Sequence, residues 1–309
     1  MWYDFFNCKY DVLLLLSTIG LPRRSLHIYI ISSKKTCFDI NFRSVKSPSV
    51  TQPKGFLFDQ IFTQSVFMPS TYTLETLSEA LRPHREQSPQ AALAWLTETF
   101  AGSIVFSTSF GLEDQAISHL IFSEKLPIRV FTLDTGRNFQ ETYSTWSRTL
   151  DVYQQPIEVF APQADALEQL LAQKGPNSFY QSVENRKECC HIRKVEPLAR
   201  ALKNQRIWIT GIRAEQSANR QDMQPLEWDA THQLFKFHPL FDWTFEQVQA
   251  FVDTHRIPTN PLHKKGFVSI GCAPCTRAIQ PGEDFRAGRW WWEDSSKKEC
   301  GLHSHAATA

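Results

Sequence analysis

The 309-residue sequence has no marked excess of charge of either sign and no long apolar run. Its 33 Lys and Arg residues balance 32 Asp and Glu residues to a formal net charge of +1. Because this charge gives no strong overall field, it excludes a polybasic binder of nucleic acid or anionic membranes, so an anionic ligand needs a local cluster of cations. The apolar run at residues 12–16 is far shorter than the roughly 20 residues of a membrane span. We expect a soluble protein.

The sequence also lacks the cysteine density of a disulfide scaffold. Its seven cysteines are an odd number spread over a long chain, whereas disulfide frameworks are small and rich in cysteine. This usage favours a reducing compartment, and we expect the protein in the cytoplasm. The cysteines are Cys8, Cys37, Cys189, Cys190, Cys272, Cys275 and Cys300.

Residues 1–67 differ in composition from the rest of the chain. They contain no Glu, only two Gly, and no sustained helical or strand period. Met68 then opens a stretch typical of a helix start, with Ser70 or Thr71 as the N-cap before periodic leucines. We expect translation to begin at Met68 and residues 1–67 to be an upstream extension. A targeting peptide is the alternative, because the segment contains Ser, Lys and Arg and few acids.

From residue 88 onward the hydrophobic pattern alternates between helices and strands. Such alternation predicts βαβ units, and therefore a parallel α/β sheet covered by helices on both faces. Ligands of such sheets bind beyond the carboxyl ends of strands, which draws attention to the loops after Phe106, Leu133 and Thr210. The predicted helices span residues 88–100, 113–122, 139–150 and 165–174, and the predicted strands span residues 104–107, 128–133, 157–160 and 207–211.

The loop at residues 107–114 carries small hydroxyl side chains ahead of a helix that begins with acidic residues. Ser107, Ser109 and the backbone at Gly111 can surround an anion at a helix N-terminus. The same residues are equally typical of an ordinary strand-to-helix connection.

Two further loops carry candidate ligand-binding residues. Asp134 ends a strand and either bonds a ribose hydroxyl or caps the next helix, while Gly136 lets the backbone approach a ligand. Arg213 and Arg220 bracket the third loop, and arginine suits bidentate contact with phosphate or sulfate, although a loop arginine is often only a solvated charge.

The cysteine spacing is more specific. Cys189 and Cys190 are adjacent, and Cys272 and Cys275 form a C-x-x-C pair. Four thiolates from two segments indicate a metal or iron–sulfur site. Zinc is the weaker reading, because its half-sites are normally spaced by two or more residues, whereas adjacent ligands suit the separate corners of a cuboidal cluster. The nearby Lys187, Arg193 and Lys194 would offset the negative charge.

The C-terminal tail, residues 291–309, contains Cys300 after Lys297 and Lys298. Neighbouring cations favour the thiolate, which is the reactive form of cysteine. A flexible tail can carry this sulfur into and out of a site. The alternative is a free surface cysteine on a disordered end.

Together these segments resemble the assimilatory sulfonucleotide reductases, in particular the iron–sulfur type that acts on adenosine 5′-phosphosulfate (APS). The resemblance covers nearly all of the chain from about Leu74 to His303 and nothing in residues 1–67. It rests on the strings STSFGLED, LDTGR, RKECCHIRKVEPL, GIRAEQSANR, HPLFDWT, IGCAPCTR, GRWWWE and KKECGLH.

The resemblance implies an adenine-nucleotide α-hydrolase-like fold, with a reductase domain at residues 68–290 and a mobile tail at residues 291–309. It implies that the loop at 107–114 receives the phosphosulfate, that the loops near 133–136 and 211–213 receive the adenosine, and that Lys194, Arg286 and Arg289 contact the substrate. It also implies one 4Fe–4S cluster on Cys189, Cys190, Cys272 and Cys275.

The resemblance further implies the chemistry of Cys300. Its thiolate attacks the sulfate sulfur, AMP leaves, and thioredoxin or a glutaredoxin-like protein frees sulfite from the S-sulfocysteine. Two alternatives stay open. One is a reductase that uses the 3′-phosphorylated nucleotide (PAPS), although members specialised for it generally lack the paired cysteines. The other is a zinc-stabilised nucleotide- or nucleic-acid-binding module without turnover.

Overall fold

A computed structural model describes residues 72–216 and 223–293, together with two short strands near the start of the chain. The chain divides into two units, Met1–Ser65 and Val66–Ala309. In the first unit, strands β1 (Leu14–Leu15) and β2 (Tyr29–Ile30) pair antiparallel. The prediction that residues 1–67 are an upstream extension stays a prediction.

The second unit is an α/β fold. In chain order its elements are α1 (Leu74–Gln87), α2 (Pro89–Thr99), β3 (Ile104–Thr108), α3 (Leu112–Ser123), β4 (Arg129–Leu133), α4 (Gln140–Tyr153), β5 (Glu158–Phe160), α5 (Ala164–Lys174), α6 (Val183–Cys190), α7 (Glu196–Leu202), β6 (Ile207–Ile209), β7 (Leu226–Asp229), β8 (Leu234–Phe237) and α8 (Phe245–Thr254). A π-helical turn, His191–Val195, joins α6 to α7.

The first helix begins later than the sequence predicts. Thr73 is the N-cap of α1: its hydroxyl accepts a hydrogen bond from the Thr76 backbone, and the Thr76 hydroxyl bonds back to the Thr73 backbone. This reciprocal capping box satisfies two backbone donors of the first turn, which fixes the helix start. The predicted caps Ser70 and Thr71 lie outside the described residues.

The six strands of this unit form one sheet in the order β5-β4-β3-β6-β8-β7. All neighbours pair in parallel except β7, which runs antiparallel to β8. The predicted parallel sheet is therefore confirmed, with an antiparallel edge hairpin in addition. The hydrophobic pattern predicts β3 to β6, but it does not predict this hairpin or the helices α6, α7 and α8.

Alternate residues of the central strands pack on opposite faces of the sheet. Phe106 and Ile209 join a core formed with α2, α3 and α8, whereas Val105 and Trp208 pack against Leu198 and its neighbours in α7. Burying each such side chain contributes roughly 1.5–3 kcal/mol. Helices therefore cover both faces, as predicted. Within the described residues, no helix has the length and apolar character needed to cross a membrane.

The strand order creates a crevice beside β3. The chain moves outward through β4 and β5 and then returns to β6, on the other side of β3. At such a switch point, the loops after neighbouring strands leave in opposite directions and open a crevice at the carboxyl edge of the sheet. The loops after β3, β4 and β6 meet there.

Candidate active site

A cleft of about 250 Å³ lies at this carboxyl edge. The ends of β3, β4 and β6 form its floor, and the segments at 268–271 and 285–289 form part of its walls. Six of the predicted site residues line it: Ser107, Ser109, Gly111, Lys194, Arg286 and Arg289.

The two serines of the first loop have different hydrogen bonds. Ser107 Oγ accepts a hydrogen bond from Trp208 Nε1 at 2.8 Å. Ser109 donates from its hydroxyl and from its backbone nitrogen to Asp114 Oδ2, at 2.7 and 2.6 Å. Burial raises the pKa of Asp114 to about 6, although the bonds to Ser109 oppose the shift. Asp114 therefore holds the loop in shape at the start of α3.

Asp134, Gly136 and Arg213 do not line the cleft. The Asp134 carboxylate accepts hydrogen bonds from the Gly136 backbone and the Tyr143 hydroxyl, at 2.9 and 2.7 Å. Gly136 has φ +66°, a conformation that favours glycine. Asp134 therefore closes the turn that contains Gly136 and contacts the side chain of Tyr143 in α4. It does not cap α4, whose N-cap is Phe139 without a side-chain hydrogen bond.

Arg213 is 1% exposed, and carboxylates already occupy its guanidinium. Nε donates to Glu113 and Nη1 to Glu215, both at 2.9 Å. These bonds tie the loop after β6 to the start of α3. The other candidate of this loop, Arg220, lies outside the described residues.

The cationic side of the cleft combines Lys194, Arg286 and Arg289. Lys194 comes from the π-helical turn, a feature frequent at functional sites. Arg289 is placed by an antiparallel bridge to Thr276, next to the C-x-x-C pair. Gly271 gives it room, because a Cβ there would lie 2.5 Å from Arg289 Nη2.

Arg289 is 8% exposed, and no described residue offers its side chain an ion pair or a hydrogen bond. Its guanidinium instead lies 4.8 Å from the centre of the Trp290 ring. A buried cation without a counter-ion is costly unless a ligand supplies the negative charge. This arrangement suits an anion in the cleft.

The four predicted cysteine ligands lie together. Cys189, Cys190, Cys272 and Cys275 line one small cavity, and none of the four forms a disulfide with another described residue. Phe179, Pro274 and four cationic side chains also line the cavity; the cations are Arg137, Arg186, Arg193 and Lys194. Among the described residues, no three His, Cys, Asp or Glu side chains are placed to hold a single metal ion.

The cations act on these thiols unequally. Burial alone would raise the pKa of Cys272, but Lys194, a hydrogen bond with Thr135, Arg289 and Arg193 lower it. Burial and the neighbouring Cys272 and Cys190 raise the pKa of Cys275 to about 12. Burial also raises the pKa of Cys189. The thiolate, which is the form that binds metals, is therefore favoured at Cys272 over Cys189 and Cys275.

The cysteine cavity and the cleft share a wall. Lys194 lines both, and Thr135, which lines the cleft, lies 3.3 Å from Cys272 Sγ through its hydroxyl. Sequence reasoning missed Thr135, although it stands between the two candidates Asp134 and Gly136. It also missed Trp208 and His263, which line the cleft and carry no sequence signal of their own. The proposed nucleophile Cys300 lies outside the described residues.

The fold and the site together define an α/β protein with a cleft lined by cationic side chains at the carboxyl edge of its sheet, beside a group of four thiols. The chain matches the phosphoadenosine phosphosulfate reductase domain over residues 103–278. It belongs to this family.

Individual relatives agree with this assignment. The chain is 49% identical over 228 residues to the adenosine 5′-phosphosulfate reductase of Allochromatium vinosum, covering 74% of this chain and 89% of that protein. It is 47% identical over 234 residues to the enzyme of the same name from Burkholderia cepacia, covering 76% and 93%. The crystal structure of phosphoadenylyl-sulfate reductase from Candida auris in a phosphate complex superposes with a TM-score of 0.58 at 26% identity, covering 68% of this chain and 98% of that chain.

Proposed function

We propose that this chain is an adenosine 5′-phosphosulfate reductase of sulfate assimilation that works in the cytoplasm. It reduces APS to sulfite and AMP through an S-sulfocysteine on Cys300, and thioredoxin or a glutaredoxin-like protein supplies the electrons. Support comes from the relatives of that name at 47–49% identity. The observation that carries the proposal is the buried Arg289, which has no carboxylate partner among the described residues and lines the cleft together with Lys194 and Arg286.

These cations reduce the electrostatic repulsion of the first step, in which a thiolate approaches an anionic phosphosulfate. Two like charges about 4 Å apart repel by about 4 kcal/mol at an effective dielectric constant of 20. Fixed cations in a partly buried cleft offset this repulsion and hold the substrate for attack in line with the leaving group.

The chemistry balances without a general acid. The Cys300 sulfur forms a bond to the sulfate sulfur, the bond from that sulfur to the bridging oxygen breaks, and AMP leaves with the electron pair. A phosphate is stable as an anion, so no proton needs to be delivered to it. One thiolate of a thioredoxin dithiol then attacks the Cys300 sulfur, and sulfite leaves with the electron pair of the broken S–S bond. The second thioredoxin thiolate attacks the thioredoxin sulfur of this mixed disulfide, which releases Cys300 as a thiolate and leaves a thioredoxin disulfide. Oxidation of the dithiol accounts for the two electrons of the reduction.

Cys189, Cys190, Cys272 and Cys275 fit one 4Fe–4S cluster. The donor set consists of four cysteines around one cavity, outside any disulfide of the described residues and with cations in the cavity walls, which suits thiolate ligation of a cluster. When bound, the cluster contributes charge and structure rather than net electrons, since the dithiol supplies those. Lys194, in the wall shared by the cavity and the cleft, is placed to act on both groups.

The test is thioredoxin-dependent sulfite release by the full chain, purified without oxygen, from APS and from PAPS in parallel. We expect turnover of APS, a clear preference over PAPS, and broad visible absorption. Equal use of PAPS would correct the substrate assignment. A colourless, zinc-containing protein that binds nucleotide without turnover would replace the proposal with a binding module.

The variant Cys300→Ser tests the nucleophile. We expect sulfite release to fall to background, while AMP affinity and visible absorption stay as in the unaltered protein, because neither depends on that sulfur. Cys37→Ser, which changes a cysteine outside the family resemblance, is the matched control and should leave turnover unchanged. Retained sulfite release in Cys300→Ser would refute the assignment.

A further inference from the structure

The two serines of the loop after β3 differ in whether the hydroxyl hydrogen is available to donate to an anion. A serine hydroxyl has one hydrogen to donate and two lone pairs to accept with. The Ser109 hydroxyl donates its hydrogen to Asp114 Oδ2 at 2.7 Å. Ser107 uses a lone pair instead, since the indole Nε1 of Trp208 can only donate.

The Ser107 hydrogen has no acceptor among the described residues, and Ser107 lines the cleft. With Trp208 Nε1 placed 2.8 Å from one side of the oxygen, the O–H must point elsewhere. The cleft is where an acceptor can arrive. An oxygen of a phosphoryl or sulfuryl group is such an acceptor, and a bond to a charged oxygen is stronger than one between neutral groups.

Trp208 is held firmly enough to play this part. It lies in the middle of β6, is 1% exposed, and pairs in register with Val105 of β3. Its ring contacts the buried Lys236, whose Nζ lies 5.1 Å from the ring centre, and His232, whose ring meets it edge-on at 5.9 Å. The indole N–H therefore has a fixed direction.

We propose that Trp208 is a positioning residue, which orients the Ser107 hydroxyl so that it donates to an oxyanion of the bound nucleotide. The inference rests on the proposed function, because it takes a nucleotide phosphosulfate as the ligand. Trp208 lines the same cleft, but its one N–H is already donated to Ser107. Its effect must therefore pass through Ser107, and this dependence is what a test can isolate.

A double-mutant cycle in the full chain, with Trp208→Phe and Ser107→Ala, measures that dependence. Phenylalanine keeps the ring and removes the N–H. We expect each single variant to weaken AMP binding or to lower kcat/KM for APS by about tenfold, and the double variant to be no worse than Ser107→Ala alone. Independent, multiplying effects would overturn the proposal.

The two readouts separate the two acceptors. Weaker binding of AMP, which carries only the phosphoryl group, would place the contact there. An effect on APS turnover alone would place it on the sulfuryl group. The matched control is Trp228→Phe, which makes the same change on an exposed residue of β7 and should leave both values unchanged.

A second measurement covers the case in which Trp208→Phe does not fold. In protein labelled with ¹⁵N at its tryptophans, one slowly exchanging indole N–H resonance should shift in Ser107→Ala and also on addition of AMP to the unaltered protein. If no indole resonance responds to both, the proposal fails. If the unaltered protein neither binds AMP nor turns over APS, the proposed function fails with it, whereas normal activity with a silent Trp208→Phe contradicts this inference alone.

Discussion

Arg213 and Arg289 are both buried arginines near one cleft, and they differ in whether a carboxylate of the fold neutralises the guanidinium. Arg213 bonds Glu113 and Glu215, whereas Arg289 has no carboxylate partner among the described residues. Both are less than one-tenth exposed. A buried pair left without one partner destabilises the fold, while a buried cation left unpaired is a site for a ligand anion. We therefore expect Arg213 to stabilise the fold, and we propose that Arg289 binds the substrate.

The largest effect should come from Arg289→Gln. We expect kcat/KM for sulfite release to fall by about two to three orders of magnitude, with a free energy of unfolding that stays the same or rises, because the change removes an uncompensated buried charge. Parallel assays of turnover and urea unfolding check both parts. Arg85→Gln, at an ion pair whose Asp242 is 72% exposed, is the control and should change neither value. A large loss of stability in Arg289→Gln would contradict the comparison.

Arg213→Met should show the reverse pattern. The variant leaves the Glu113 carboxylate, which is 12% exposed, without its partner, so we expect the free energy of unfolding to fall by about 3 kcal/mol. The folded protein should lose less AMP affinity than Arg289→Gln does. Adding Glu113→Gln should restore part of the stability. If Arg213→Met instead lost activity as Arg289→Gln does with unchanged stability, Arg213 would belong to the binding site.

The sequence could not separate these two arginines, for a physical reason. Arg213 pairs with Glu113, 100 positions earlier in the chain, and nothing in the spacing of either residue indicates that contact. The βαβ core could be predicted, because the apolar residues of β3 to β6 and of α3 to α5 recur with the periods of strands and helices. The sequence also placed the four cysteines in one site, since thiols in this pattern have few other uses.

Helix α6 escaped the sequence analysis because its buried face is not apolar. Arg186 is 1% exposed and forms a bidentate pair with Glu293, 107 positions away, at 2.9 and 2.8 Å. Its guanidinium also lies 4.7 Å from the centre of the Trp290 ring. A helix whose buried face carries a paired arginine and cysteines shows no hydrophobic period in its sequence. The cysteine side of the site is thus the part that sequence reasoning predicts by chemistry but not by secondary structure.

Gly271→Ala tests whether the position of the Arg289 side chain matters, without changing Arg289 itself. The added Cβ would lie 2.5–2.9 Å from the guanidinium atoms of Arg289, so the side chain must move away from its place in the cleft. We expect kcat/KM to fall by about tenfold, because misplacing a binding group costs part of what removing it costs. In an Arg289→Gln background the same change should add little. An equal effect in both backgrounds would show that Gly271 acts independently of Arg289.

The smallest effect concerns Asp114, which also lines the cleft. Burial raises its pKa from 3.8 to about 6, so between these pH values the folded chain holds more protons than the unfolded chain. Stability from this group is therefore present at low pH and is lost as the pH rises through about 6. Asp114→Asn keeps an acceptor for Ser109 and removes the titration. We expect the variant to gain on the order of 1 kcal/mol relative to the unaltered protein above pH 6, with no gain near pH 4. Urea unfolding across this range measures the difference, and a gain independent of pH would mean that the carboxylate is not destabilised by its burial.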